Sequence, residues 1–248
     1  MRNFAPFQQL ATALALLTRL PLPRLPDAAF ADQSRAVWAF PLVGLLVGGI
    51  ALGVGLLALT LGLPATGAAG LVLLTQVMVT GAMHEDGLAD TADGFWGGFS
   101  RDRRLEIMRD SHIGTYGVLA LILSLGLRWQ ALTALLDGPA LLVAAIVSRA
   151  VMPVLMTALP HARTDGLSRG VGRPGPRAVL LGLVLAGGLS LLLVGLGALL
   201  ALVLGALAAV TLGLMAKRRI GGQTGDILGA TQQCTEIVIL LGFVALWS

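Results

Sequence analysis

The chain has 248 residues, of which 56% are hydrophobic and only 12% are charged. Soluble domains carry about 25% charged residues, so this composition excludes an ordinary soluble globular protein and indicates an integral membrane protein. The formal net charge of +4 comes almost entirely from arginine, since Lys217 is the only lysine. The arginines lie in short gaps between apolar segments, where membrane orientation explains them, and we expect no nucleic-acid partner.

Residues 1–23 contain an early arginine and a short apolar segment, the arrangement of a secretory signal. Arg19 and three prolines follow, however, without a small-residue cleavage site. We therefore expect an amphipathic helix lying at the membrane surface rather than a cleaved signal peptide.

Seven apolar segments have about the length that a membrane-spanning helix requires, which is about 20 residues. No long polar insert separates these segments, and they show no convincing internal repeat. Their many glycines indicate close helix packing. The sequence thus predicts a single membrane-embedded domain over residues 1–248, an all-α polytopic bundle of about seven transmembrane helices with an N-terminal interfacial helix. The spans are predicted near 39–62, 66–84, 114–136, 139–158, 178–196, 198–216 and 226–247.

The arginines alternate between the two ends of these predicted spans. Nearly all of them precede the first span or lie in the connections after the second, fourth and sixth spans. The positive-inside preference therefore places the N-terminus and these connections in the cytoplasm, in a multi-pass protein of the cell inner (cytoplasmic) membrane. Almost every acidic residue lies on the same side, so we expect an active site that faces the cytoplasm.

The segment HEDGLADTADGFWGG, residues 84–98, crowds carboxylates at the end of an apolar run. If the second helix continues beyond His84, then Asp86, Asp90 and Asp93 lie along one helical face at i, i+4 and i+7. Such carboxylates repel one another unless a cation lies among them. That cation is either a neighbouring arginine or a hard divalent ion such as Mg²⁺. The alternative is a solvated loop whose acids balance its arginines.

A basic segment follows the acidic one. Arg103, Arg104 and Arg109 suit phosphate oxygens, so acids for a metal beside arginines for phosphate are typical of a metal–diphosphate site. The loop at 161–177 contains four more arginines and is able to bind substrate or anionic lipid headgroups.

A glycine-rich turn, GGQTGD at 221–226, leads into the last predicted helix. Free N–H groups in such a turn can hold an anion, which makes Gly222, Thr224 and Gly225 candidate phosphate-binding residues. Asp226 can supply a further metal ligand or orient one. Simple entry into the helix explains the same turn.

Several ionisable residues fall within or beside the apolar spans. Arg149 and Glu236 are expected well inside the membrane, where charged groups are costly and are usually functional or paired. We expect the two to lie near one another and to close the inner end of the substrate cavity, with Arg149 among the substrate-binding residues. Arg128 is expected to extend towards the outer interface. His84 and His112 flank the acidic segment. One of them could act as a base or as a hydrogen-bond donor to phosphate, and a polar capping role explains them equally well.

The sequence resembles the cobalamin synthase family, the adenosylcobinamide-GDP ribazoletransferases, over most of its length. The resemblance rests on HEDGLADTADG (84–94), RLEIMRDSHIGTYG (104–117), LLTRLPLP (16–23) and GGQTGDILGA (221–230). It implies an integral membrane, Mg²⁺-dependent enzyme that joins adenosylcobinamide-GDP to α-ribazole or its 5′-phosphate and releases GMP. Family members commonly have an aliphatic residue where Glu85 stands, so no ligand role is assumed for Glu85.

The resemblance and the charge pattern together give a candidate site. Mg²⁺ would bridge the diphosphate and neutralise charge on the departing GMP, while the ribose 3′-hydroxyl of the acceptor attacks the phosphorus attached to cobinamide. The expected metal ligands are Asp86, Asp90, Asp93 and Asp226. Arg103, Arg104 and Arg109 are expected to bind phosphate, and Asp110 or His112 is expected to accept the hydroxyl proton.

Two other functions stay open. A related membrane phosphotransferase would move a phosphoalcohol from a CDP-activated donor onto a lipid headgroup and release CMP. A transporter or a structural membrane subunit of a cobalamin assembly complex would tolerate alanine at the predicted metal ligands. Membrane lipid is an expected partner, and a homo-oligomer or a larger assembly complex is compatible with the sequence.

Overall fold

The computed structural model describes residues 6–247, and no β-strand occurs among them, as the all-α prediction requires. Two 3-10 helices, Asp27–Ala29 and Gln33–Ala39, lead into the second α-helix. The α-helices are α1 (Pro6–Leu17), α2 (Phe40–Thr60), α3 (Ala65–Thr80), α4 (Met83–Gly97), α5 (Arg101–Ile107), α6 (Thr115–Leu135), α7 (Ala140–Ala158), α8 (Leu167–Val171), α9 (Pro176–Val194), α10 (Gly197–Ile220) and α11 (Gly225–Trp247).

Within the described residues, six helices are long and apolar enough to cross a membrane: α2, α6, α7, α9, α10 and α11. The remaining predicted span, near 66–84, corresponds to a bent pair of helices, because α4 leaves α3 at an angle of 89°. Counting that pair as one span gives seven, so the prediction of a polytopic helical bundle is confirmed.

The second helix does not continue beyond His84, although Asp86, Asp90 and Asp93 do lie on one helix, α4. The chain breaks at Gly81 and Ala82, whose φ angles of 66° and 58° lie in the left-handed region. Glycine adopts this region freely and commonly ends helices in this way. The Ala82 N–H donates to the Val77 carbonyl oxygen over 2.9 Å and closes the end of α3. The acidic segment consequently forms a helix of its own.

The N-terminal helix α1 has 12 residues and is too short to span a bilayer. It buries Ala13 and Leu17 in the core, and Gln9 accepts a 2.6 Å hydrogen bond from the indole of Trp38. A helix at this position was predicted, although residues 1–5 of the predicted segment lie outside the described part of the chain. Its location at a membrane surface stays a prediction.

Helix α7 forms the centre of the bundle, and glycines on its neighbours allow close contact. A Cβ atom at Gly44 of α2 would lie 2.2 Å from the Ala145 carbonyl oxygen, and one at Gly205 of α10 would lie 2.8 Å from a Val147 methyl group. These distances leave no room for a side chain, so the prediction of small-residue packing is confirmed.

A network of buried charges crosses the interior of the bundle. Arg128 on α6 is 1% exposed and donates hydrogen bonds to Glu85 on α4, over 3.0 Å, and to Glu236 on α11, over 2.8 Å. It also donates to the side-chain oxygens of Gln76 and Gln233. The prediction that Arg128 extends towards the outer interface is therefore wrong. Two buried carboxylates make the interior the favourable place for this guanidinium.

Arg149 on α7 completes this arrangement. Its Nη1 atom lies 3.9 Å from the Glu236 carboxylate and donates to the Ala145 carbonyl oxygen over 3.1 Å. The predicted proximity of Arg149 and Glu236 is thus confirmed. We call Glu85, Arg128, Arg149 and Glu236 the central ion network, in which two formal positive charges balance two negative ones.

Replacing Arg128 with methionine removes the guanidinium that Glu85 and Glu236 share. The Arg128→Met variant is expected to lose about 3–5 kcal/mol of unfolding free energy, since a buried charge without its partner is strongly destabilising. Unfolding of the purified protein in detergent micelles measures the loss. The Arg177→Met variant, at an exposed position at the start of α9, is the control. Equal unfolding midpoints for the two variants would contradict the structural role of Arg128.

Candidate active site

Helices α4 and α11 cross in backbone contact, and this crossing organises the acidic segment. A Cβ atom at Gly87 would lie 2.9 Å from the carbonyl oxygen of Asp226, and one at Gly229 would lie 3.3 Å from the Gly87 Cα atom. Only glycine allows the helices to approach so closely at Gly87. The crossing brings Asp86 and Asp90 of α4 beside Asp226 at the start of α11.

We call Asp86, Asp90 and Asp226 the acidic cluster. Asp86 is exposed, Asp90 is half-buried, and the Asp226 side chain is 21% exposed. Asp90 interacts electrostatically with both of the other carboxylates. The guanidinium of Arg163, from the loop after α7, forms an ion pair with Asp226. Three carboxylates beside one paired cation repel one another when they are ionised, and this repulsion favours binding of a further cation.

Asp93, the remaining predicted metal ligand, has a structural partner instead. It is 6% exposed, and its two carboxylate oxygens accept hydrogen bonds from the N–H groups of Gly114, over 2.7 Å, and Gly117, over 2.9 Å. Gly114 immediately precedes α6 and Gly117 lies in its first turn, where N–H groups have no partner within the helix. Asp93 therefore anchors the start of α6 to α4. Its role as a metal ligand stays a prediction.

The turn that precedes α11 docks on the loop after α7. A Cβ atom at Gly222 would lie 2.2 Å from the Pro160 carbonyl oxygen, so glycine is required there. The neighbouring Gln223 N–H donates to the same oxygen over 2.8 Å, and the Ala162 N–H donates to the Gln223 carbonyl oxygen over 2.9 Å. This contact carries Arg163 towards the acidic cluster.

Thr224 caps the first turn of α11. Its hydroxyl oxygen accepts a hydrogen bond from the Ile227 N–H over 3.3 Å, and the hydroxyl donates to the Asp226 carboxylate over 3.1 Å. The threonine thus stabilises the helix start and holds the Asp226 side chain. Anion binding by Gly222, Thr224 and Gly225 stays a prediction.

The three predicted phosphate-binding arginines have different partners. Arg103 forms an exposed ion pair with Glu106, and Arg104 donates to the Arg219 carbonyl oxygen over 3.1 Å. Arg109 reaches across to the loop after α7, where it donates to both carboxylate oxygens of Asp165 over 2.8 and 2.9 Å. Of the three, Arg109 is therefore the arginine that contacts the loop carrying Arg163.

Arg163 is a functional candidate that the sequence did not single out, and Arg101 was expected only as a possible cation beside the acidic segment. Arg101 donates to the carbonyl oxygens of Ile220, over 3.0 Å, and Ala162, over 2.8 Å, and so joins α5 to two connections. Arg101, Arg109 and Arg163 line an open groove of about 800 Å³. Arg163 also lines a second groove, of about 1110 Å³, together with other arginines of its loop. The sequence signal for Arg163 was only the general richness of this loop in arginine.

Asp110 and His112, the predicted proton acceptors, lie on an exposed connection before α6. Asp110 accepts hydrogen bonds from the backbone N–H of His112, over 3.0 Å, and shares a 2.7 Å hydrogen bond with its imidazole Nδ1. These hydrogen bonds hold the pKa of Asp110 below its ordinary value. A lowered pKa makes the carboxylate a weaker base, so this conformation does not favour Asp110 as the acceptor. Both assignments stay predictions.

The fold and the site together define a polytopic helical membrane protein with an acidic cluster beside arginine-lined grooves. A family model described as cobalamin-5-phosphate synthase matches residues 9–244. The chain belongs to this family, and the resemblance read from its motifs is confirmed.

Curated relatives match the chain over nearly its whole length. An adenosylcobinamide-GDP ribazoletransferase of Bradyrhizobium diazoefficiens is 50% identical over 237 residues, which cover 94% of this chain and 91% of the relative. Proteins with the same name from Mesorhizobium japonicum and Azorhizobium caulinodans are 47% and 46% identical. The match to the Mesorhizobium protein covers 93% of this chain and 90% of the relative. The match to the Azorhizobium protein covers 98% of this chain and 97% of the relative. No solved structure matches the chain.

The contrast between Asp93 and Asp86 gives a test of the site geometry. The Asp93→Ala variant is expected to lose about 1–3 kcal/mol of unfolding free energy, because the part-buried Gly114 amide and the buried Gly117 amide lose their acceptor. The Asp86→Ala variant changes an exposed side chain, and its stability is expected to stay within about 0.5 kcal/mol of the wild type. Unfolding in detergent micelles compares the two. Equal losses would contradict the different roles given to these aspartates.

Proposed function

We propose that this chain transfers the adenosylcobinamide-phosphate moiety of adenosylcobinamide-GDP to α-ribazole or its 5′-phosphate, with release of GMP. The names of the relatives supply the donor and the acceptor. The observation that carries the proposal is the position of Arg163, which is paired with Asp226 and also lines both arginine grooves. A diphosphate substrate needs anion-binding and cation-binding groups side by side, and this arrangement provides both.

Mg²⁺ is the cofactor that we infer for the acidic cluster. Carboxylate oxygens are the hard ligands that it prefers, and the cluster carries more negative charge than Arg163 compensates. Among residues 6–247, no group of three or more acidic, histidine or cysteine side chains forms a complete set of metal ligands. Mg²⁺ usually takes one or two carboxylates together with waters and substrate phosphates, so the residues fit this ion. One or two of Asp86, Asp90 and Asp226 would hold it, and it would supply charge neutralisation at the leaving GMP.

The arginines would position the donor. Arg109 and Arg163 are now paired with Asp165 and Asp226, and a diphosphate in the groove would compete for their N–H groups. Guanidinium groups bind phosphate oxygens through two parallel hydrogen bonds, which fixes orientation as well as charge. The donor would thereby present the phosphorus attached to cobinamide to the ribose 3′-hydroxyl of the acceptor, and GMP would leave on the opposite side.

The site is proposed to face the cytoplasm at the cell inner membrane. Arg101 and the Arg109–Asp165 ion pair draw α5, the loop after α7 and the α10–α11 connection to one end of the bundle. These connections hold many of the arginines of the chain, and the positive-inside preference assigns them to the cytoplasm.

Neutralising the acidic cluster tests the catalytic proposal. The Asp90→Asn and Asp226→Asn variants are expected to lower kcat for GMP release on the order of 10²–10³-fold, the loss typical when a charge-stabilising group is removed. GMP is measured chromatographically with purified protein, Mg²⁺, adenosylcobinamide-GDP and α-ribazole. The control is Asp137→Asn, an exposed position between α6 and α7. Wild-type turnover in both cluster variants would instead favour a non-catalytic membrane subunit.

Metal removal and an alternative donor test the cofactor and the reaction class. Chelation with EDTA is expected to abolish GMP release, and excess Mg²⁺ to restore it, because the acidic cluster would be left uncompensated beside the diphosphate. Activity that survives chelation would refute the metal assignment.

A CDP-activated alcohol is expected to give no CMP, and CMP release would identify the related phosphotransferase class instead.

A further inference from the structure

A narrow, largely apolar pocket opens next to the acidic cluster. It contains about 440 Å³ of empty space when its open mouth is included. Helices α1, α2, α4, α7, α8 and α11 form its walls, through residues that include Leu17, Phe40, Met83, His84, Met156 and Leu228. The roles proposed for the acidic cluster and the arginines do not involve these apolar walls.

His84 is the main polar feature of this pocket. The side chain is 1% exposed and lines the pocket, and its Nε2 atom has no hydrogen-bond partner among the described residues. Ser168 also lines the pocket, but its hydroxyl already donates to the side-chain oxygen of Gln223 over 2.6 Å. A buried polar atom without a partner is costly, so a ligand that hydrogen-bonds to the imidazole would be favoured there.

The pocket and the acidic cluster share the same two helix starts. Gly225 lines the pocket, and the next residue, Asp226, belongs to the cluster. On α4, His84 and Asp86 are separated by one residue, Glu85. Residues two positions apart are only about 3 Å apart along the helix axis but point to different sides of the helix, so the pocket and the acidic cluster lie at the same level of α4.

We propose that this pocket binds the dimethylbenzimidazole base of α-ribazole, with the His84 imidazole as its hydrogen-bond partner. The inference rests on the proposed function and adds the position of the acceptor. The ribose would then extend past Gly225, at the start of α11, towards Asp226, where its 3′-hydroxyl meets the donor.

The chemistry of the three ring systems in the reaction selects this occupant. Guanine carries several donors and acceptors on its edges, and an apolar pocket would leave most of them unpaired. The corrin ring with its amide side chains is far broader than a narrow pocket. Dimethylbenzimidazole is flat and apolar, and once joined to ribose it keeps one ring nitrogen able to accept a hydrogen bond. One imidazole in apolar walls matches that single acceptor.

A lipid acyl chain is the competing occupant. It would contact the same apolar walls, but it would leave the His84 imidazole without a hydrogen bond. The buried imidazole therefore favours the heterocyclic base, and lipid binding becomes an outcome that the experiment must detect.

Direct binding tests the pocket without any dependence on turnover. Titration calorimetry measures α-ribazole binding to the purified protein in detergent, with EDTA and without the donor. The His84→Phe and Leu228→Phe variants are expected to weaken binding about 10-fold or more, through loss of one hydrogen bond and of pocket space respectively. The KM for adenosylcobinamide-GDP is expected to change less than about twofold. Leu214→Phe, at an exposed position on α10, is the control.

A second measurement needs no substitution. With methyl-labelled methionine, nuclear Overhauser contacts are expected between the base methyl groups of bound α-ribazole and Met83 or Met156 in the wild-type protein. Such contacts, together with the weakened variants, support the proposal. Absent contacts, or wild-type affinity in variants that unfold at the wild-type temperature, overturn it.

Two further outcomes have separate meanings. Co-purifying phospholipid that is lost in Leu228→Phe, while α-ribazole affinity stays at the wild-type value, would assign the pocket to lipid and overturn the proposal. A wild-type protein that binds α-ribazole in the pocket but releases no GMP would refute the proposed function and leave the base-binding pocket standing.

Discussion

The ion pairs of Arg128 with Glu85 and Glu236 are the interaction on which the rest of the structure depends. The guanidinium comes from α6 and the two carboxylates from α4 and α11, so none of these helices can move away without leaving an unpaired charge in an apolar interior. The same pairs hold α4 against α11, at the crossing where Gly87 permits backbone contact. The acidic cluster exists because that crossing is fixed.

Helix α4 carries two kinds of acid, and helical geometry separates them. Glu85 and Asp93 point inward, to Arg128 and to the first turn of α6. Asp86 and Asp90 are more accessible and form one side of the acidic cluster. Successive residues of a helix point about 100° apart, so adjacent carboxylates can serve stability and chemistry independently. Glu85 therefore serves as a partner for Arg128 and needs no role in metal binding.

The connections at this end of the bundle bring complementary chemistry to the cluster. The Gly222–Gln223 turn docks on the loop after α7, and that docking places Arg163 against Asp226. Arg101 secures the same loop from α5. The acidic cluster, the arginine-lined grooves and an apolar pocket with a buried imidazole consequently lie at the same end of the bundle, and this arrangement suits the proposed reaction between a diphosphate and an apolar nucleoside.

The sequence by itself determined the membrane class, most helix positions, the acidic face of Asp86 and Asp90, and the family, because hydropathy, helical spacing and motifs are local properties. It also placed Arg149 near Glu236, since isolated charges in apolar spans need partners. It did not reveal that Arg128 turns inward, that Asp93 anchors α6, or that Arg163 joins the site. Glu85 and Glu236 are 43 and 108 residues from Arg128, and only the packing of helices decides which distant side chains meet. The bend at Gly81 and Ala82 was equally hidden, because the apolar segment continues through it while the backbone changes direction.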